Sequence, residues 1–222
     1  MSWHLPRGNV KFIMGITDTK TWHNWIGSQE KIIGIAMVGR SNVGKSSLIN
    51  ALFGKGLART SKTPGRTRQI NVFEFKLKDD SGNEFEEMSF YLFDLPGYGY
   101  ANISKTMAKE WRILMDGFFT DIEHQACCLI NIQDARHPME KADLAFLDIA
   151  NYTTSDFYLV FNKIDKLKTQ KERSKLLKIQ KNLSPQLKGA KQFHSVSAEK
   201  ATGIKALEMS LVNFLLEQNH ST

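Results

Sequence analysis

Apolar and polar positions follow two periods along the chain, and the places where one gives way to the other mark its elements. Residues 32–39 are a short β-branched apolar run ending in glycine; a polar, glycine-containing stretch follows, and 46–53 takes up helical spacing. Strand, loop and helix are predicted in that order. Beyond a basic, threonine-rich stretch at 55–68, residues 71–78 alternate apolar and polar. Asp79, Asp80, Ser81, Gly82 and Asn83 supply turn chemistry, with Asp79 expected in a solvated turn, and 88–93 is apolar again, so an antiparallel hairpin is expected. Helices near 105–119, 141–150, 169–182 and 204–217 then alternate with strands at 126–133, 157–161 and 192–196. Such alternation implies right-handed crossovers and an α/β fold. The sheet is expected to have six strands, mostly parallel with one antiparallel hairpin strand, and helices on both faces. Residues 1–31 read as an N-terminal extension packed on a domain of residues 32–220. Within it 10–14 is a candidate edge strand, and Trp22 and Trp25 are expected to pack rather than to bind a ligand.

Composition narrows the class. With 41% hydrophobic residues and only five prolines among 222 residues, the chain can bury a sizeable core, and disorder is excluded. No apolar run approaches the roughly 18 residues of a membrane span. The amino terminus lacks an apolar stretch with a small-residue cleavage site, so no secretory signal is read and a cytoplasmic, monomeric protein is expected. The only two cysteines, Cys127 and Cys128, are adjacent in an apolar run and are expected to be buried thiols. Charge is unevenly spread: residues 162–191 hold ten basic and two acidic side chains, an excess above the whole chain's +7. The basic character therefore belongs to one region.

Chemistry enters at Gly39-Arg40-Ser41-Asn42-Val43-Gly44-Lys45-Ser46, glycine, four residues, then glycine, lysine and serine, at the predicted junction of strand and helix. Its two glycines let the backbone wrap a polyphosphate, so that successive amides and the helix N-terminus face the oxygens. Lys45 would reach the β- and γ-phosphates, and Ser46 would offer its hydroxyl to Mg²⁺. A random chain of this length carries the pattern roughly one time in a hundred. Asp94-Leu95-Pro96-Gly97 is Asp-x-x-Gly, a weak signal alone, since residues 79–82 match it too. Position selects Asp94, at the end of an apolar strand, as the carboxylate on the Mg²⁺ side, with the Gly97 amide as sensor of the γ-phosphate. Asn162-Lys163-Ile164-Asp165 follows the strand at 157–161. A carboxylate accepts from both guanine N1 and the exocyclic amine, whereas adenine has no donor at either place, so Asp165 would select guanine. Lys163 can lay its stem over the base, and Asn162 can fasten the loop. Val196, Ser197 and Ala198 are a weak match to a loop whose amide contacts guanine O6. Of the threonines between Ser46 and Asp94, namely Thr60, Thr63 and Thr67, the last stands nearest the next strand and is chosen as the second protein ligand of Mg²⁺. Gly65, Arg66, Arg68 and Gln69 surround it.

With these motifs stand Asp134-Ala135-Arg136-His137-Pro138 and the extension of Asp94-Leu95-Pro96-Gly97 through Tyr98-Gly99-Tyr100-Ala101. Together they resemble the EngB (YihA/YsxC) family of bacterial GTPases, within the TrmE-Era-EngA-EngB-septin-like group. The resemblance runs from about Val10 to the carboxyl terminus. It implies a P-loop GTPase (Ras-like) fold, GTP or GDP with Mg²⁺ as ligands, a role in assembling the large ribosomal subunit, and a link to septation and normal cell division. Asn-Lys-Ile-Asp stands where the family often has threonine first, and Ser195 to Ala198 matches its last loop only loosely.

Fast Ras-like hydrolysis uses a glutamine just after Asp-x-x-Gly to orient water, and here that position is Tyr98, so slow intrinsic turnover is expected. A partner or a monovalent cation would supply what is missing, and similar GTPases imply Asn42 as a candidate K⁺ ligand. Arg59, Arg66 and Arg68 read as solvated or RNA-facing before they read as arginine fingers. Lys168, Lys171, Lys175, Lys178 and Lys181 recur at helical spacing, with Leu176, Ile179 and Leu183 turned to the core. Ribosomal RNA phosphates would suit that ridge, and a merely solvated face is the alternative. Two other functions stay open at this point: a P-loop kinase or ATPase, which the guanine motif opposes, and a non-hydrolysing GTP-dependent adaptor of the division machinery.

Overall fold

The computed structural model describes residues 2–58, 69–99, 105–150, 156–183 and 190–220. In chain order its elements are β1 (Trp3–His4), β2 (Val10–Ile16), α1 (Thr19–Gly27), β3 (Ile33–Gly39), α2 (Lys45–Phe53), β4 (Ile70–Phe75), β5 (Lys78–Asp79) and β6 (Phe90–Asp94). The rest are α3 (Lys105–Ile122), β7 (Ala126–Asp134), α4 (Lys141–Ala150), β8 (Phe157–Asn162), a single 3₁₀ turn (Ile164–Lys166), α5 (Gln170–Leu183), β9 (Ala190–Ser195) and α6 (Ile204–His220).

The main sheet runs β2-β4-β6-β3-β7-β8-β9, and β4 alone runs against the direction of the other six. It has seven strands rather than the expected six, because residues 10–16 pair with β4 along its outer side, with a bulge between Phe12 and Met14. A bulge on an edge strand breaks the regular row of amides there. The parallel strands are buried on both faces, and β3 shows the pleat at work. Ile33, Ile35 and Met37 join one core with α2 and α6, whereas Ala36 and Val38 join a second with α1, α3, α4 and α5. Cys127 and Cys128 divide between the two cores in the same way; both are free thiols, and burial pushes both up from the ordinary thiol range.

Two features depart from the sequence reading. The first is α1, nucleated by Asp18, whose carboxylate accepts from Thr21 N (2.9 Å) and Thr21 Oγ1 (2.8 Å). It drives Trp22, fully buried, against Phe93 and Phe118, with the indole donating to Asp121. The second is Asp79, which is buried rather than solvated. Its carboxylate turns inward and accepts from Ser81 N, Asn83 N and Asn83 Nδ2, a closed turn in which the bond from Asn83 lowers its pKa. β5 is then free to pair with β1, tying the N-terminus to the hairpin.

All five parallel strands deliver their C-terminal ends to one edge, where such sheets bind ligands. Gly39, Asp94, Asp134 and Asn162 end β3, β6, β7 and β8 there.

Candidate nucleotide site

The loop between β3 and α2 is shaped for an anion. Gly44 caps α2 with φ +94° and no side-chain cap, so the first amides of the helix lack an internal partner. A Cβ at Gly44 would also stand 2.5 Å from Asn162 Nδ2, which makes glycine obligatory there on two counts. Asn42 takes the left-handed region at φ +64°, which asparagine tolerates.

Lys45 lies with its ammonium on the Asp94 carboxylate. Asp94 is buried at the end of β6, and Asn71, its cross-strand partner on β4, donates to its other oxygen at 3.4 Å. Ser46 sits in the first turn of the same helix as Lys45. A hydroxyl and a carboxylate are hard oxygen donors that suit Mg²⁺, and the carboxylate already carries a cation here. The residues present therefore fit that ion. Among the described residues, no three His, Cys, Asp or Glu side chains gather into a metal cluster of their own.

The segment after Asp94 is zipped to the phosphate loop. Leu95 N donates to Met37 O (3.0 Å), Tyr98 N to Gly39 O (3.2 Å) and Ser41 N to Tyr98 O (3.3 Å), with Leu95, Pro96 and Gly97 buried. Tyr98 turns its side chain away from the loop into a polar network. Its hydroxyl donates to Asp143 Oδ1 (2.9 Å) and accepts from Asn131 (3.0 Å), and its ring stacks on Phe146 at 4.9 Å. Arg40 has the same destination. Its Nε donates to both Asp143 oxygens (2.9 and 3.0 Å), its Nη1 to Glu140 and its Nη2 to His137 O. The Arg40 guanidinium thus belongs to this network, which leaves its backbone amide as the group that phosphate binding would use. The Gln69 side-chain amide donates to Asn71 (2.7 Å) and packs on Gly15.

The other half of the site is built by the loops after β8 and β9. Asn162 donates to Val43 O (3.1 Å) and accepts from Lys163 N (2.8 Å) and Ala198 N (3.1 Å), so one buried amide fastens three loops. Lys163, at φ +66°, donates to Asn42 O (2.5 Å) and to Asp134 Oδ2 (3.0 Å). Asp165 accepts from Ser197 Oγ (2.6 Å) and Lys166 Nζ (3.1 Å), and the bond from Ser197 leads in holding its carboxyl below the usual value. Ile164 N donates to Val196 O, and the Val196 side chain is fully buried. The weak Ser197-Ala198 signal is thereby placed beside the guanine motif. Gly65, Arg66, Thr67 and Arg68 lie outside the described residues, as do Arg59, Thr60, Thr63, Tyr100 and Ala101. Asn71, Asn131, Asp134 and Asp143 support the site without a local signal in the sequence, except that Asp134 opens the Asp134-Ala135-Arg136-His137-Pro138 motif.

A phosphate loop joined through Asn162 to the Asn-Lys-Ile-Asp loop, on a sheet of this order, has the arrangement of a P-loop GTPase domain. A family model described as 50S ribosome-binding GTPase matches residues 34–163. The probable GTP-binding protein EngB of Prosthecochloris aestuarii is 38% identical over 81% of this chain and 86% of its own length. That of Roseobacter denitrificans is 41% identical over 78% and 75%. The chain belongs to the EngB family of GTP-binding proteins. Among solved structures, a crystal structure of a probable EngB has a TM-score of 0.52 at 24% identity, covering 83% of this chain and 99% of that one. An Era variant of Aquifex aeolicus bound to GDP and aluminium fluoride gives 0.61 at 23% identity; the match covers 83% of this chain and 57% of the Era chain. At these identities the likeness shows the fold.

Gly44→Ala is expected to weaken GDP binding by roughly 10- to 100-fold, from strain at positive φ and displacement of Asn162. Calorimetry with GDP checks this, and unchanged affinity would mean that the loop accommodates a side chain there.

Proposed function

We propose that this protein is a slow GTPase acting in the cytoplasm as a nucleotide-dependent switch in assembly of the large ribosomal subunit, with septation and normal division depending on that assembly. The observation that carries the reading is the single amide of Asn162, which bonds the phosphate loop and the guanine loop together, in a chain matched by a 50S ribosome-binding GTPase family model. Residues 32–220 hold the nucleotide, with 1–31 packed on them.

In this reading the amides of residues 39–46 and the α2 N-terminus bind the β- and γ-phosphates. Lys45 moves from Asp94 to those oxygens. Ser46 and Thr67 would hold Mg²⁺ by their hydroxyls and Asp94 would hold it through a water, and the ion when bound would neutralise phosphate charge. Gly97 reports the terminal phosphate, and Gly65, Arg66, Arg68 and Gln69 accompany Thr67. Turnover is slow because Tyr98, at the water-orienting position, is held by Asp143 and cannot reach an attacking water. K⁺ at the exposed Asn42 is the proposed accelerator. The ribosomal partner is met by Lys168, just before α5, and by α5 itself, where Lys171, Lys175, Lys178 and Lys181 are, like Lys168, exposed while Leu176 is buried and Ile179 and Leu183 are half-buried.

The test is sucrose-gradient sedimentation with large-subunit precursors. Several-fold more protein is expected to travel with the particle in a non-hydrolysable GTP analogue than in GDP. Equal binding in both would remove the switch, because a nucleotide that binds both states alike shifts nothing.

A further inference from the structure

Lys163 presents a physical problem. A lysine side chain carries about 2 kcal/mol of rotamer entropy, so a stem meant to support a planar base must be held at its far end. Its backbone, at φ +66°, is fixed by the turn it opens and by the bond from Lys163 N to Asn162. The ammonium donates to two acceptors. One is Asn42 O, in the phosphate loop; the other is Asp134 Oδ2.

Asp134 is built to serve as that acceptor. It is the last residue of β7, in register with Asn162 of β8, and Ala135 N donates to Asn162 O (2.8 Å), so its position relative to the guanine loop is set by sheet pairing. Its side chain is 9% exposed. Arg136 clamps it, with N and Nε on Oδ1 (3.0 and 2.9 Å) and Nη2 on Oδ2 (2.7 Å). Burial opposes the charge, but the bonds from Arg136 and Lys163 outweigh it and hold the carboxyl far below its usual value. A rigid strand end, a planar two-pronged clamp and one direction left for Lys163 amount to a preorganised support.

We infer that Asp134 is a positioning residue for nucleotide binding: its carboxylate, fixed by Arg136, pins the Lys163 ammonium against the phosphate-loop carbonyl of Asn42 and so sets the lysine stem as a platform for the purine. The pin also couples the two ends of the nucleotide, since the group that shapes the base platform bonds the loop that takes the phosphates. This rests on the guanine-binding reading of residues 162–165.

The test is a double-mutant cycle read with a fluorescent GDP by stopped flow. Asp134→Asn keeps the shape and removes the charge, and is expected to weaken binding by roughly 10- to 100-fold, mainly through faster dissociation. Lys163→Met keeps the stem and removes the ammonium. In that background Asp134→Asn is expected to add less than about threefold, because its partner is gone. A merely structural role would give the same loss with or without the ammonium, and that outcome overturns the inference, as does affinity unchanged by Asp134→Asn alone. Should Asp134→Asn not fold, Asp134→Glu carries the same cycle with the charge retained and displaced by one methylene, and a loss independent of Lys163 again overturns it. Wild-type protein that binds GDP no better than ADP would instead sink the guanine reading itself.

Discussion

Replacing Asp165 by asparagine is expected to lower affinity for GDP and GTP roughly 100- to 1,000-fold and to raise affinity for xanthine nucleotides. Guanine presents two donors side by side, N1–H and the exocyclic amine, and a carboxylate presents two acceptors. Asparagine presents one acceptor and one donor, so one charge-assisted bond is lost and an amine faces an amine. Xanthine carries a carbonyl where guanine carries the amine, and it matches the amide. Ser197 and Lys166 fix the Asp165 carboxylate and keep it ionised, so guanine affinity is expected to stay level from pH 8 downwards and to fall only as the pH drops below about 4. The linked stability has the same sign. A carboxyl whose folded-state pKa is depressed contributes stability above its unfolded pKa, and that contribution is lost as the pH falls through the folded value. Calorimetry of the two proteins with GDP, xanthosine diphosphate and ADP decides the matter, and an undiminished preference for GDP in the variant would refute the assignment.

The candidate site was legible in the sequence because the groups that the structure gathers there come from contiguous runs: glycines where a backbone must wrap, a carboxylate at a strand end, a short motif after another strand. The strand and helix alternation was legible for the same reason, each element carrying its own period. What escaped is what arises between elements. Whether an aspartate is solvated or buried cannot be seen in its own neighbourhood, and Asp79, Asp134 and Asp143 are all buried. Asp79 was misplaced because its partners lie two to four residues on, in a turn that reads as polar and exposed. Arg40 and Gln69 stand inside or beside the motifs, and nothing in their own neighbourhood marks Asp143, 103 residues from Arg40, or Asn71 as the partner of the side chain. Helix α1 did leave a signal, Asp18 before Thr21 with Trp22, Trp25 and Ile26 at helical spacing, but nine residues are too few for the period to stand out.

The second large effect follows from the Arg40 connection. Asp143→Ala is expected to destabilise the protein by about 3–5 kcal/mol, the usual result of removing one partner from a buried ion pair, and so to lower Tm by roughly 6–20 °C. Asp143 is fully buried and accepts Arg40 Nε on both oxygens, the Tyr98 hydroxyl, and Glu140 N at the start of α4 (3.1 Å). Without it a guanidinium only 17% exposed loses its main acceptor, and the Tyr98 hydroxyl keeps only its bond from Asn131. Burial raises the Asp143 pKa despite the charge of Arg40, so here the sign is opposite to that of Asp165: its contribution is complete below the unfolded pKa and declines as the pH rises through the folded value. Asp143→Asn should therefore be the milder change, since it keeps an acceptor for Tyr98 without the charge whose burial is costly. GDP affinity should fall with Asp143→Ala even in protein that remains folded, because Arg40 and Tyr98 together hold the phosphate loop against the segment carrying Gly97. Thermal unfolding with and without GDP separates the two losses. A variant that melts at the wild-type temperature would show that the network adds no net stability, and one that melts lower but binds GDP at full strength would confine its role to folding.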